Sequence, residues 1–286
     1  VTLLAVAELL LFCGLTLPHV DPALLVSDPF PSGAMGVLAC LPFAIWFFLG
    51  IEGLANAAEE ARNPSRDLPR AFVAALATLL VLAVFVFFGA VGVAGPQGVV
   101  FAPGSTAPSD APLPLALAHV VPASSWLFSV LLGVGVLGLV ASFHGILLAA
   151  GRATMELGRA GYGPPILGTV HQASGTPRVA LLTNMVVGIA TLLTGKTDDV
   201  ISLAVMGALL AYMSSLAALL RLRREDTAPT GLFRAPLHPW LTRLALALSG
   251  LCLLAVAGLY PRVGLAFVAL LALGLVAPRR AMPVTP

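Results

Sequence analysis

Eight apolar runs divide this sequence, and they constrain its fold more than any single motif does. They cover residues 2–17, 33–58, 71–94, 123–150, 178–194, 198–220, 240–259 and 262–277. A helix needs about 20 apolar residues to cross the hydrocarbon core of a bilayer. Inside lipid, every backbone N–H and C=O must be satisfied within the segment, so such runs fold as helices. The charge content agrees. Only 10% of residues are charged and 59% are hydrophobic, whereas a soluble domain carries about 25% charged residues. The sequence therefore predicts an all-α, polytopic membrane helix bundle, with residues 1–286 as one membrane domain.

The links between runs are polar, proline-rich or basic. Pro18 to Pro31 holds Asp21 and Asp28, and Gly95 to Pro122 holds six prolines, a composition that resists regular structure. Trp126 follows that loop, where an aromatic belt residue sits at a membrane interface. Asp198 and Asp199 are placed to cap the run that starts there. With the N-terminus of the chain on the cytoplasmic side, thirteen of the fifteen Lys and Arg residues fall inside; only Lys196 and Arg262 fall outside. That asymmetry places the loops at 59–70, 151–177 and 221–239, and the C-terminus, in the cytoplasm. The chain opens at Val1 in an apolar run without a basic n-region or a small-residue cleavage site. Such a run reads as a poor signal peptide, and the expectation is a fragment or a chain truncated at its start.

The stretch from Pro42 to Arg70 is the most informative. It begins as apolar as any span, then places Glu52 between Gly50 and Gly53. A carboxylate at bilayer depth is costly and is a functional candidate by default. Each glycine weakens a helix by about 1 kcal/mol relative to alanine, so a break near 50–53 is expected. Unwinding there frees the carbonyls of Trp46, Phe47 and Leu49, whose usual amide partners lie four residues on. Free carbonyls and the negative end of a half-helix attract a cation, so the site suits an ammonium group. Trp46 lies roughly one and a half turns before Glu52 and offers an aromatic face to an organic cation; the competing reading is a packing aromatic beside Phe43, Phe47 and Phe48. Glu59, Glu60, Arg62, Arg66, Asp67 and Arg70 follow, as a gate network or a solvated loop. Asn63-Pro64 is expected to stop one helix and Pro69 to begin the next.

Other polar residues lie inside apolar runs. His144, in Ala141-Ser142-Phe143-His144-Gly145, has two readings: a group that bonds a substrate hydroxyl or passes a proton, and a core histidine bonded to a carbonyl. Glu8 reads as a paired structural carboxylate. Ser202, Tyr212, Ser214 and Ser215 are interhelical hydrogen-bonding groups, one of which has room to face a cavity. Cys13, Cys40 and Cys252 all sit in apolar runs without metal-site spacing, which argues against a disulfide framework. Residues 190–197, ATLLTGKT, approach a phosphate-binding loop but lack the first glycine and a preceding strand. No HExxH or CxxC motif is present, so the reading includes no enzyme, no metal site, no cofactor and no nucleic-acid partner. The Arg221 to Arg224 cluster is explained as a positive-inside anchor.

Two stretches resemble a known family. FLGIEGLANAAEEARNPSRDLPRA looks like the sixth helix and following loop of the amino acid–polyamine–organocation permeases, and ASFHGILLAAGRATMELGRAGYGPP resembles their eighth helix. Thr176-Pro177 then opens a ninth. The wording WFFLGIEG and ASFHG is most similar to the ethanolamine permease branch. Mapped this way, the chain runs from a late fifth helix to a twelfth, without the first four helices.

That resemblance implies part of a five-plus-five inverted-repeat transporter in a bacterial plasma membrane. It implies a substrate site lined by Trp46, Phe47, Leu49, Gly50 and Ile51, with Leu49 offering its carbonyl to an amine. Phe143, His144 and Ile146 would line the eighth-helix side. Glu52 would serve as the gating or proton-coupling carboxylate. The expected function is secondary active transport of a small amino-group solute, ethanolamine first, by alternating access with a coupling proton. A general amino acid permease or exchanger, and a non-transporting membrane fragment, remain open at this stage.

Overall fold

The computed structural model describes residues 2–27, 32–54, 61–224, 233 and 235–276. Among them the structure is helical, with two isolated bridges, Phe101 to Pro108 and His171 to Thr176. The chain is an all-α membrane protein. Among the described residues, five helical segments are long and apolar enough to span a bilayer: Gly33–Leu54, Pro64–Val100, Trp126–Arg159, Thr197–Arg224 and Trp240–Leu259. Three shorter apolar helices, Leu3–His19, Arg178–Leu192 and Pro261–Leu275, accompany them.

Two compact units partition the chain. The first comprises Val1–Pro31 and Arg70–Gly145. It contains α1 (Thr2–Thr16), the short α2 (Pro22–Leu25), most of α5 (Pro64–Val100), α6 (Pro112–Leu117) and the first part of α7 (Trp126–Arg159). Phe12, Cys13, Ala90, Val99, Ala116, Leu117, Val121 and Leu131 form its buried core. Between these residues α3 (Gly33–Ala39) and α4 (Leu41–Trp46) belong to the second unit.

Small residues let α1 and α5 approach closely, the usual solution where lipid gives no hydrophobic drive between helices. A Cβ on Gly89 would collide with the Thr16 hydroxyl, and one on Gly92 would lie 2.7 Å from Val20. Pro96 explains a further link. It has no N–H for the carbonyl of Gly92, four residues back. The N–H of Asp21 donates to that carbonyl instead, at 2.9 Å, while Asp21 Oδ1 accepts from Ala23 N and caps α2.

The Gly95 to Pro122 loop is more regular than its prolines suggest. Gly95, at φ +70°, bends α5, which continues to Val100. Pro112 and Pro114 fall in the first turn of α6, where a missing N–H breaks no helical bond. Pro69 does not begin α5 as its sequence suggests. The helix starts at Pro64, with the Asn63 N–H donating to Asp67 Oδ2 at 3.2 Å. A proline at the first helical position has its φ preset and needs no donor, which makes Pro64 the better start.

The second unit comprises Ser32–Pro69 and Ile146–Pro286. Besides α3 and α4 it holds the end of α7, α8 (Arg178–Leu192), α9 (Thr197–Arg224), α10 (Trp240–Leu259) and α11 (Pro261–Val276). Met206, Val256 and Val263 are its buried centre, with Leu41, Leu203, Leu253, Tyr260 and Phe267 packed around them. Asp198 and Asp199 lie in the first turn of α9 and Arg221, Arg223 and Arg224 in its last. Both ends therefore complement the helix dipole. A Schellman turn closes α7: Tyr162 N donates to Leu157 O and Gly161 N to Gly158 O, with Gly161 at φ +79°.

Candidate functional site

The segment from 33 to 54 is broken twice. The first break lies at Cys40, where Pro42 denies Leu38 its helical donor. There Tyr260 Oη donates to the carbonyl of Ala39 at 3.0 Å. Partial burial, then the negative charge of Asp198, raise the Tyr260 phenol above its ordinary range, so it stays a donor. The second break lies where the glycines predict one. α4 ends at Trp46, residues 47–50 form turns, and residues 51–54 a 3-10 turn. Gly50 takes φ +95°, a conformation that an L side chain rarely adopts. Gly53 lies within the 3-10 turn and donates its N–H to Gly50 O at 3.0 Å.

This geometry decides which carbonyls are open. Trp46 O is not among them, because Leu49 N bends back onto it at 3.0 Å in a three-residue turn. Among the described residues nothing donates to the carbonyls of Phe47, Phe48 or Leu49. Three carbonyl dipoles at the C-terminal end of a half-helix make an electronegative patch without a formal charge. Trp46, half exposed at 50%, ends the helix beside them.

Glu52 is tied to the break rather than projecting from it. Its Oε2 accepts the Gly50 N–H at 3.0 Å and the Tyr212 hydroxyl at 2.9 Å. One oxygen therefore holds the strained glycine and a phenol of α9 together. Tyr212 is the residue of the 198–220 run that engages the break. Sequence alone offers it only as one of four polar groups, since a pairing 160 positions apart leaves no local pattern. Ser214 and Ser215 bond their own helix, to Leu210 O and Ala211 O. Ser202 is fully buried, and its Oγ has no partner among the described residues. The break at Pro42 escaped the glycine-based reading, although that proline is its signal.

The remaining candidates lie as follows. Ile51 is half-buried in the 3-10 turn. Phe143 and His144 belong to the first unit and Ile146 to the second, all on α7. Phe143 is 63% and Ile146 60% exposed. His144 is exposed and bonds no carbonyl among the described residues, unlike a satisfied core histidine. Glu8, expected as a paired structural carboxylate, makes no ion pair among the described residues. It lies against a glycine face of α7, with Oε1 at 3.4 Å from where a Cβ of Gly135 would stand. Cys13, Cys40 and Cys252 are free thiols. Among the described residues no group of His, Cys, Asp and Glu could hold a metal ion. Glu59, Glu60, Arg234, Arg279, Arg280 and the end of the 33–58 run lie outside the described residues.

The sequence profile of the amino acid permease family matches residues 1–274. An uncharacterised transporter of Rhizobium meliloti is 32% identical over 200 residues, which cover 70% of this chain and 41% of that protein. The branched-chain amino acid permease BcaP of Bacillus subtilis is 27% identical over 85% of this chain and 50% of its own length. A methylthioribose transporter of the same organism is 28% identical over 88% of this chain and 52% of its own. The chain thus spans about half the length of these relatives. Such a match across nearly every described helix, over a broken and carboxylate-bearing span, establishes the relationship: the chain belongs to the amino acid permease family.

Proposed function

We propose that this chain carries the amine-binding half-site of a secondary transporter for small amino-group solutes, with ethanolamine as the favoured substrate. The observation that supports the reading most is the set of three open carbonyls at Phe47, Phe48 and Leu49. A primary ammonium has three N–H donors and no acceptor, the complement of that set. Trp46 supplies an aromatic face for the same cation. Glu52, three residues past the last open carbonyl, adds long-range attraction while its oxygen stays engaged by Gly50 and Tyr212.

In this reading the Glu52–Tyr212 hydrogen bond is a latch between the broken segment and α9. Protonation of Glu52 removes the charge from the shared acceptor, weakens the latch and lets the two elements separate, which would couple a proton to alternating access. Phe143, His144 and Ile146 stay candidates on the family resemblance alone, with His144 the group suited to bond a hydroxyl of the solute. The arginine-rich loops at 59–70, 151–177 and 221–239 face the cytoplasm.

A second reading has specific support: one relative is named for branched-chain amino acids. Labelled ethanolamine and labelled leucine, offered separately to cells expressing the transporter, separate the two. Ethanolamine accumulation above empty cells, without leucine accumulation, supports the amine assignment. The reverse pattern assigns an amino acid substrate and removes ethanolamine.

A further inference from the structure

A cavity lined by basic residues lies far along the chain from the broken segment. It has a volume of about 680 Å³ and is lined by Leu220, Arg221, Arg223, Arg224, His238, Pro239 and Arg243. The arginines come from the last turn of α9 and the first turn of α10, with the loop between them supplying His238. A positive-inside anchor needs only basic residues near a span end. It does not need four of them converging on one concavity of a size that takes a small organic group.

The lining is built rather than diffuse. The Arg243 guanidinium stacks on the Trp240 ring, 5.3 Å from its centroid, which orients a side chain that would otherwise lose much rotamer freedom on binding. Arg223 Nη2 donates to Phe233 O at 2.9 Å, which leaves its other N–H groups to turn elsewhere. His238 Nδ1 and Thr242 Oγ1 lie 3.1 Å apart, which fixes the imidazole at the rim. Glu225 and Asp226, which follow in sequence, lie outside the described residues. Among the described residues the lining includes no carboxylate, so its formal charge is positive. Planar guanidinium forks match the oxygens of a phosphate group.

What surrounds the cavity selects the source of the phosphate. Trp240 is 73% exposed, and Leu241, Leu244 and Leu248 continue an exposed apolar face along α10. A charged concavity at the end of an apolar, lipid-length helix offers one surface to a head group and the other to acyl chains. We propose that this cavity is a binding site for the phosphate of an anionic phospholipid, seated at the arginine-rich ends of α9 and α10. The site is separate from the broken segment, and its occupancy does not depend on which solute is transported.

Native mass spectrometry of the detergent-solubilised protein, titrated with phosphatidylglycerol in the presence of phosphatidylcholine, tests the assignment. Each basic side chain near an anionic lipid surface contributes about fivefold in affinity. The combined Arg223→Gln, Arg224→Gln and Arg243→Gln variant is expected to lose on the order of a hundredfold in phosphatidylglycerol affinity. The matching lysine variant keeps the charge but neither the planar fork nor the stacking on Trp240, so it is expected to recover about tenfold of that loss, which separates lost charge from lost folding. Replacing Arg66, Arg152 and Arg178 by Gln removes the same charge elsewhere and is expected to change retention little. Equal losses in the two Gln sets would overturn the site in favour of diffuse attraction. Lysine variants that bind no better than the Gln set would also overturn it. Displacement of the lipid by inorganic phosphate at constant ionic strength would reassign the cavity to a free anion and sink the lipid proposal.

Discussion

The bond between Tyr212 and Glu52 is the point at which a single atom tests the latch. Tyr212→Phe removes one hydroxyl and leaves the ring in place. A hydrogen bond to a charged group contributes about 1.5–3 kcal/mol. The 2.9 Å separation is longer than the 2.5–2.7 Å usual for a hydroxyl on a carboxylate. Glu52 is also exposed, so water competes for its oxygen. Both effects lower the estimate to about 1 kcal/mol, roughly fivefold in an equilibrium or a rate. The appropriate assay is initial uptake of labelled substrate into proteoliposomes, measured for the wild type, Tyr212→Phe, Glu52→Gln and the double variant. The latch predicts that the two single effects do not add, with a coupling of about 1 kcal/mol. It also predicts that Glu52→Gln, which keeps an acceptor but removes its charge, changes initial uptake by a similar factor. Additive single effects, within about 0.5 kcal/mol, would refute the reasoning. So would a Gln variant that takes up substrate as fast as the wild type.

Other consequences follow from the same geometry. Gly50→Ala places a Cβ at φ +95° and is expected to cost about 1–2 kcal/mol, read as a lower melting temperature in detergent. Gly53→Ala meets no atom within 4 Å and should stay within about 0.5 kcal/mol of wild type by the same melt. Trp46→Phe keeps an aromatic ring with a weaker negative face, so substrate affinity should fall about two- to fivefold by equilibrium binding; Trp46→Leu should lose more. Gly92→Ala forces a methyl toward Val20 and is expected to destabilise by about 1–3 kcal/mol, whereas Gly133→Ala, in open space on α7, should be neutral or stabilising by up to about 1 kcal/mol in the same thermal assay.

The residues that made this fold legible are those that act alone. Apolar length declares a membrane helix because lipid leaves the backbone no other partner. Gly50 declares a break because only glycine tolerates the required φ. Legibility falls where an outcome depends on a distant partner. Nothing adjacent to Tyr212 distinguishes it from Ser214 or Ser215; only the packing of α9 against α4 brings it to Glu52. The Trp46 carbonyl was expected to open, yet the chain tightens into a three-residue turn and Leu49 N closes it. Whether a broken helix unwinds or tightens depends on where the following residues are pulled. Pro69 misleads for a related reason: two prolines five apart can each start a helix, and the one with Asn63 before it and Asp67 beyond it makes the better start. The Glu8 carboxylate shows the same limit, since an apolar run reveals no more than that a charge is present, and its surroundings are set by the glycines of α7.

The central claim is that the open carbonyls of Phe47, Phe48 and Leu49 receive a cationic amine. Competition binding with ethanolamine and N-acetylethanolamine tests it most directly. The two share the hydroxyl and the carbon chain, and only the first carries an ammonium. The account predicts that ethanolamine displaces a bound labelled amine while N-acetylethanolamine does not. Equal displacement by both would contradict it.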